Sequence, residues 1–448
     1  MNIIVQQRHR TKEKILDASM HPIRLLLPTE LIERWCHELG YSWRDRVFGP
    51  VITLLACVWK HTQPKVVSAR DVEDGIAEWR DDPAPGERSG SDFCQARSRL
   101  PHALLPRAAE HVGSVAAQLC AQIFHGLRIC LVDGSSVRVC NTAALDAHYG
   151  RSANKSSRSR TPLARLLLLV CAGSGAVLNV LTGRFCVSEQ ALFLRLVEQL
   201  SSGNLLVADR AFGSFLQCCR VQFQGSHLLA RLRVDRQGKK VQRLGYRDKL
   251  VEWKRPLPSY SAFPECLAEW PPKIYVRVIE RRMQRRGYRS WNLLLVTTLL
   301  DPAAYPAGDL VKLYLKRWNI ETVLRTLKTN YGMERMAGKT PDVVEKEIHS
   351  TVLAYNCVVA LICQSGESPE LISPIRAKNI VMRYAHCMSQ AATCRLVQLF
   401  KRMLKLIATA LQLPQERAPQ PRAIIRSKNN YPLLKCSRDD WRRKYYAA

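Results

Sequence analysis

The sequence predicts an α/β protein, a strand-rich centre interrupted by a β-rich insertion and flanked by helical regions at both ends. Three observations predict it. LRICLVDG, ARLLLLVCA, AVLNVLTG and NLLVADRAF are continuous apolar runs of strand length, gathered around one segment of helical period, SEQALFLRLVEQL. From 224 to 300 the runs stay strand-like but become basic, as in HLLARLRV, KIYVRVIERR and WNLLLVTTLL. Both ends carry apolar residues at three- and four-residue spacing, as in VFGPVITLLACVWK and VEKEIHSTVLAYN.

Length and charge bound the rest. At 448 residues the chain exceeds one ordinary core and should hold two to four units. A formal net charge of +30 points to a polyanionic partner, nucleic acid before a membrane surface, because the basic residues are spread along the whole chain. The sixteen cysteines include no CxxC pair and mostly sit in apolar runs, so neither a disulfide framework nor a zinc site is expected. MNIIVQQRHRTKEK lacks a signal-peptide core, and PLARLLLLVCAGSGAVLNVLTG is broken by Arg165 and a Gly-Ser-Gly turn, so a cytoplasmic protein is expected.

In chain order, residues 1–122 read as a helical N-terminal region, a DNA-binding headpiece or a plain helical cap. Residues 123–223 form the first part of the α/β core. LRICLVDG closes on Asp133, ARLLLLVCA and AVLNVLTG make a hairpin, Ser188 caps the next helix with Leu192, Leu196 and Leu200 on one face, and NLLVADRAF closes on Asp209. Residues 224–305 are the β-strand insertion domain, with a net charge of +11 over 224–300 and the arginine-dense RRMQRRGYR. Residues 306–370 return to the core, and 371–448 form a basic helical region and tail.

The two aspartates end buried strands of one sheet, the edge where α/β proteins bind ligands, although such a carboxylate is also a common turn former. A third acid lies in YLKRWNIETVLRTLK. There Tyr314, Arg317, Glu321 and Lys328 share one face of a single helix, since seven residues return an α-helix to within about 20° of its starting direction. Surface ion pairs between Glu321 and Arg317 or Arg325 are the simpler explanation of that stripe.

If Glu321 converges on Asp133 and Asp209, three carboxylates repel unless cations neutralise them. All-oxygen ligands suit Mg²⁺ or Mn²⁺, and two such ions are the standard device for in-line displacement at phosphorus. Arg317 would then contact phosphate bidentately and Lys328 as a point charge, while Tyr314 would donate a hydrogen bond to a phosphate or pack against a sugar.

The strand ending in VDG, the strand LLVADRAF and the Y-x2-R-x3-E-x6-K spacing together resemble the DDE transposases of bacterial insertion sequences, in particular the insertion-sequence-four family. SDFCQARSRL, TPLARLLLL and VEKEIHSTVLAYN are similar to the family as well, so the resemblance covers nearly the whole chain. It implies a ribonuclease-H-like core in which Asp133, Asp209 and Glu321 bind two Mg²⁺ or Mn²⁺ ions. The enzyme would nick transposon ends with water and transfer the freed 3′ hydroxyl. Tyr314, Arg317 and Lys328 would hold the DNA backbone, with Arg210 and Arg325 as further contacts. The partner would be double-stranded DNA, bound by a homodimer at the bacterial nucleoid.

Ser135 stands where the family often has Thr, and the loop GRSANKSSRSR is unusually basic. Trp291 and Trp318 are both candidates for stacking on a flipped base, and for ordinary packing. Three other readings stay open: a catalytically inactive DNA-binding derivative, a DDE nuclease without strand transfer, and an RNA-binding protein. The first is disfavoured because an acidic cluster costs stability unless a metal uses it, and the last gives no reason for three convergent carboxylates.

Overall fold

The computed structural model describes residues 21–44, 47–63, 67–79, 90–154, 157–158, 161–236, 238–257, 270–284, 290–412 and a few positions beyond 435. The start of the chain, most of RRMQRRGYR's arginine run and the Pro-bearing segment before 436 lie outside them.

Among the described residues six helices come first: α1 (His21–Arg24), α2 (Thr29–Glu38), α3 (Pro50–Thr62), α4 (Ala69–Trp79), α5 (Ser91–Arg99) and α6 (Leu104–Leu119). A short β1 (Ile123–Phe124), which the sequence reading does not contain, is followed by the expected strands as β2 (Leu127–Arg138), β5 (Leu163–Cys171), β6 (Val177–Arg184) and β7 (Asn204–Ala208), with α7 (Ala143–Tyr149) and the short β3 (Ala153–Asn154) and β4 (Ser157–Arg158) between β2 and β5. Helix α8 (Glu189–Glu198) begins where expected, the Ser188 hydroxyl accepting the Ala191 N–H at 3.2 Å.

After α9 (Phe215–Phe223) come β8 (His227–Arg231), β9 (Lys239–Gly245), β10 (Asp248–Lys254), β11 (Lys273–Met283) and β12 (Trp291–Thr297). These strands do not make a second sheet. One sheet runs in the order β6-β5-β2-β7-β8-β12-β11-β10-β9, parallel from β2 through β7 to β8 and antiparallel elsewhere along that path, with β1 pairing β2. Apolar β8 is buried beside β7, and β9–β12 extend the same sheet outward.

Alternation sets the layers. Ile129 and Leu131 of β2 face one apolar cluster, Cys130 and Val132 the other, as expected for a strand covered on both faces. The larger cluster runs from Ile23 to Ala410, so the N-terminal helices and the last helices share a core with the sheet. Its centre is α12 (Pro341–Gln364), reached through α10 (Ala307–Leu315) and α11 (Trp318–Asn330) and followed by α13 (Pro374–Ser389) and α14 (Thr393–Ala408). The buried Asn356 amide fixes α12: its Nδ2 donates to the Ala109 and Val177 carbonyls at 2.9 and 2.7 Å, and its Oδ1 accepts the Val177 N–H. Gly113 of α6 leaves room for this, because a Cβ there would stand 2.5 Å from the Val177 carbonyl oxygen and 2.9 Å from Asn356 Nδ2.

Two expectations are corrected. β2 does not end on Asp133; it continues to Arg138, paired with β5 throughout. The helix carrying the signature is not single. Lys316 and Arg317 bond back three residues, to Leu313 and Tyr314, and Asn319 and Ile320 do the same, to Lys316 and Arg317. This tighter winding of three residues per turn separates α10 from α11, so Tyr314 and Glu321 sit on successive helices.

Candidate active site

The parallel ladder places the first two acids. Its last β2–β7 pair is Val132 with Ala208, so Asp133 and Asp209 are the next residues on strands about 4.8 Å apart. Each is also tied to its own backbone. Asp133 Oδ1 accepts the Gly134 N–H at 2.9 Å, and Asp209 Oδ1 accepts the Ala211 N–H at 2.7 Å, which makes Asp209 a turn former as well.

Glu321 enters from the first turn of α11. Between it and the strands lies Arg317, its side chain 12% exposed, 2.8 Å from Glu321 and 3.7 Å from Asp133. The simple ion pair foreseen for Arg317 and Glu321 therefore forms, and it extends to the strand. Among the described residues, the alternative pair of Glu321 with Arg325 does not.

The electrostatics are those of crowded acids around one cation. Burial, and then the charges of Asp209 and Glu321, push the Asp133 carboxyl up to about 6, while Arg317 and the Gly134 N–H oppose the rise. Tyr314 is buried, and its hydroxyl is pushed above its ordinary range by desolvation and by Asp209, against the pull of Arg317 and Arg231. Burial would lower the Arg317 guanidinium, but Tyr314, Glu321 and Asp133 outweigh it and raise it. Among the described residues its buried Nε has no hydrogen-bond partner.

The remaining expected residues spread outward. Lys328 is half-buried further along α11, Arg210 and Arg325 are exposed, and Trp318 is 61% exposed with the Arg317 guanidinium 5.7 Å from its ring centroid. Two neighbours lacked a sequence signal. Glu189, paired with Arg165 at 3.0 Å, lies over Gly134, where a Cβ would meet both its carboxylate oxygens within 2.7 Å; only the close approach explains the glycine. Arg231, at the end of β8, is felt by Tyr314 because β8 pairs with β7.

Among the described residues no group of three or more His, Cys, Asp and Glu side chains is gathered closely enough to hold a metal ion. The donor set nonetheless fits a hard cation. Its atoms are all carboxylate oxygens, the donors a hard divalent cation takes, and burial, the chief cause of the raised Asp133 carboxyl, makes its charged form costly without a cation beside it.

The transposase DDE domain family matches residues 124–357, more than half of the chain. The chain belongs to the DDE transposases, enzymes of DNA transposition whose chemistry depends on divalent metal ions. It is 26% identical over 373 residues to the transposase InsG for insertion sequence element IS4 of Escherichia coli K12, spanning 78% of this chain and 80% of that one. A solved piggyBac transposase synaptic complex with hairpin DNA aligns with 88% of this chain and 85% of its own, at 11% identity and a TM-score of 0.40. Among the described residues no helix is long and apolar enough to cross a membrane.

Proposed function

We propose that this chain binds the terminal inverted repeats of an insertion sequence and catalyses strand nicking and strand transfer, with Asp133, Asp209 and Glu321 holding two Mg²⁺ or Mn²⁺ ions. The observation that carries the reading is the juxtaposition of Asp133 and Asp209 at the end of the parallel pairing, with Glu321 tied to it through Arg317. Bound there, the ions would supply activation of the attacking oxygen and stabilisation of the leaving one. A water oxygen attacks phosphorus at the transposon end and the 3′ oxygen leaves; the freed 3′ hydroxyl then attacks a second phosphodiester, joining to its phosphorus as that strand's own 3′ oxygen leaves and takes up the proton.

The chain's own groups position the DNA. Arg317 exchanges part of its carboxylate pairing for a bidentate phosphate contact, Lys328 adds a point charge, and the Tyr314 hydroxyl donates to a phosphate oxygen. Arg210 and Arg325, both exposed, extend the contact outward. A homodimer pairing two DNA ends in the bacterial cytoplasm completes the proposal.

One observation favours a second reading, the inactive DNA-binding derivative. Arg317 already pairs with Asp133 and Glu321, so the retention of those two acids does not by itself require a metal. Divalent-metal-dependent cleavage of a terminal-repeat duplex separates the two: the transposase cuts at the repeat boundary, and the derivative binds without cutting.

A further inference from the structure

We propose that Arg138 and Arg335, together with Lys328, form a phosphate track that holds one strand of a DNA duplex about three to five base pairs from the acidic site. The proposal rests on the reading that this chain acts on DNA, and goes beyond it by assigning a second contact region.

Strand β2 and helix α11 leave the acidic site together. At the near end Arg317 ties Asp133 of the strand to Glu321 of the helix. At the far end the Lys328 carbonyl accepts the Glu334 N–H at 3.2 Å, the Arg138 N–H donates to the Glu334 carbonyl at 3.2 Å, and the Met336 N–H donates to the Arg138 carbonyl at 2.8 Å. Arg138 and Arg335 are thereby held as direct partners in a parallel β-bridge.

Like charges placed opposite each other across a bridge are destabilising. The carboxylate beside them, Glu334, stands 4.0 Å from Arg138 with both side chains more than half exposed, too far and too wet to offset the repulsion. Among the described residues the Arg335 and Lys328 side chains make no ion pair, although Lys328 is half-buried. A solubilising surface intersperses opposite signs; three cations gathered where β2, having passed the acids, meets the end of α11 and the segment after it fit a polyanion.

The spacing fits a duplex backbone. Five strand residues from Asp133 to Arg138 span about 17 Å, and seven helical residues from Glu321 to Lys328 about 10 Å. At about 3.4 Å of axial rise per base pair these correspond to roughly three to five base pairs.

The test uses the full chain and a duplex carrying the terminal inverted repeat, in EDTA so that no cleavage occurs. Binding is measured against salt for wild type and the double variant Arg138→Gln, Arg335→Gln. The slope of log affinity against log salt should fall by roughly 0.9 per lost contact. Neutral methylphosphonate linkages about five positions from the cleavage point, the distance Arg138 reaches, should weaken wild type but not the variant, while at about three positions, where Lys328 is retained, both should weaken. The variant's melting temperature should be unchanged or higher, because a like-charge pair is removed. If the double variant fails to fold, Arg335→Gln alone should show about half the slope change. An unchanged slope in a folded variant, or equal sensitivity of both proteins to the more distant neutral linkages, overturns the track. Failure of wild type to bind the duplex overturns the DNA reading and the track with it.

Discussion

The Arg317 guanidinium lies 3.7 Å from the Asp133 carboxylate, joining the turn before α11 to strand β2 of the sheet. The same group reaches Glu321 at 2.8 Å, so one cation links two of the three acids and holds α11 against β2.

Arg317→Ala should therefore destabilise the metal-free protein by about 1–2 kcal/mol near pH 7, less than for a fully buried pair because Glu321 is 41% exposed. Added Mn²⁺ should restore part of the loss. Thermal unfolding with EDTA and with Mn²⁺ checks this; an unchanged melting temperature in EDTA would show that Arg317 is not the cation that balances the acids.

Asp133 contributes in the opposite sense. Its folded carboxyl, pushed up to about 6 against an ordinary 3.8, binds a proton more tightly folded than unfolded. In EDTA its ionisation lowers stability above pH 6, and that penalty is relieved as pH falls from 6 towards 3.8, by about 1.4 kcal/mol per unit. Asp133→Asn removes the penalty, so it should be more stable than wild type at pH 7.5, with the difference shrinking towards pH 4.5. Denaturant melts at both pH values measure it, and a difference independent of pH would contradict the assignment.

His61 and His349 set the acid limit. Both are lowered to about 4, each chiefly by burial, His61 further by Lys60 and His349 by His102. A depressed histidine contributes stability that is complete above the unfolded value of 6.5 and is lost as pH falls towards 4, by about 1.4 kcal/mol per unit for each. Denaturant midpoints of Asp133→Asn should fall across that window, and His349→Gln should flatten the fall.

Asn356→Leu should cost about 3 kcal/mol or more, since it leaves the Val177 N–H and carbonyl and the Ala109 carbonyl buried without their partner. Gly113→Ala should cost a comparable amount through the clash with the Val177 carbonyl. Urea unfolding measures both. A loss below 1 kcal/mol in either would show that α12 is not anchored through this contact.

Much of this was legible in the sequence because hydrophobic period and capping are local. The strands around Asp133 and Asp209 and the Ser188 cap could be read directly. The break at Lys316–Arg317 could not, since neither Gly nor Pro marks it and only packing decides where a helix tightens. Continuation of β2 beyond Asp133 depends on its partner β5, and the place of β8 depends on pairing with β7; both are non-local facts. Among the acids, spacing could align Glu321 with Arg317, but that Arg317 also reaches Asp133 follows from the sheet. Glu189 was hidden because its relation to Gly134 is a steric fit between distant segments.

The central claim, that Asp133, Asp209 and Glu321 form one catalytic site, is tested most directly by Mg²⁺-dependent cleavage of a labelled duplex carrying the terminal inverted repeats that flank the encoding gene. Wild type and Glu321→Gln are assayed side by side, with binding measured in EDTA. Cleavage at the repeat boundary by wild type alone, with binding retained by both, is the expected result. Cleavage by Glu321→Gln at the wild-type rate, or specific binding without cleavage by either protein, would contradict it.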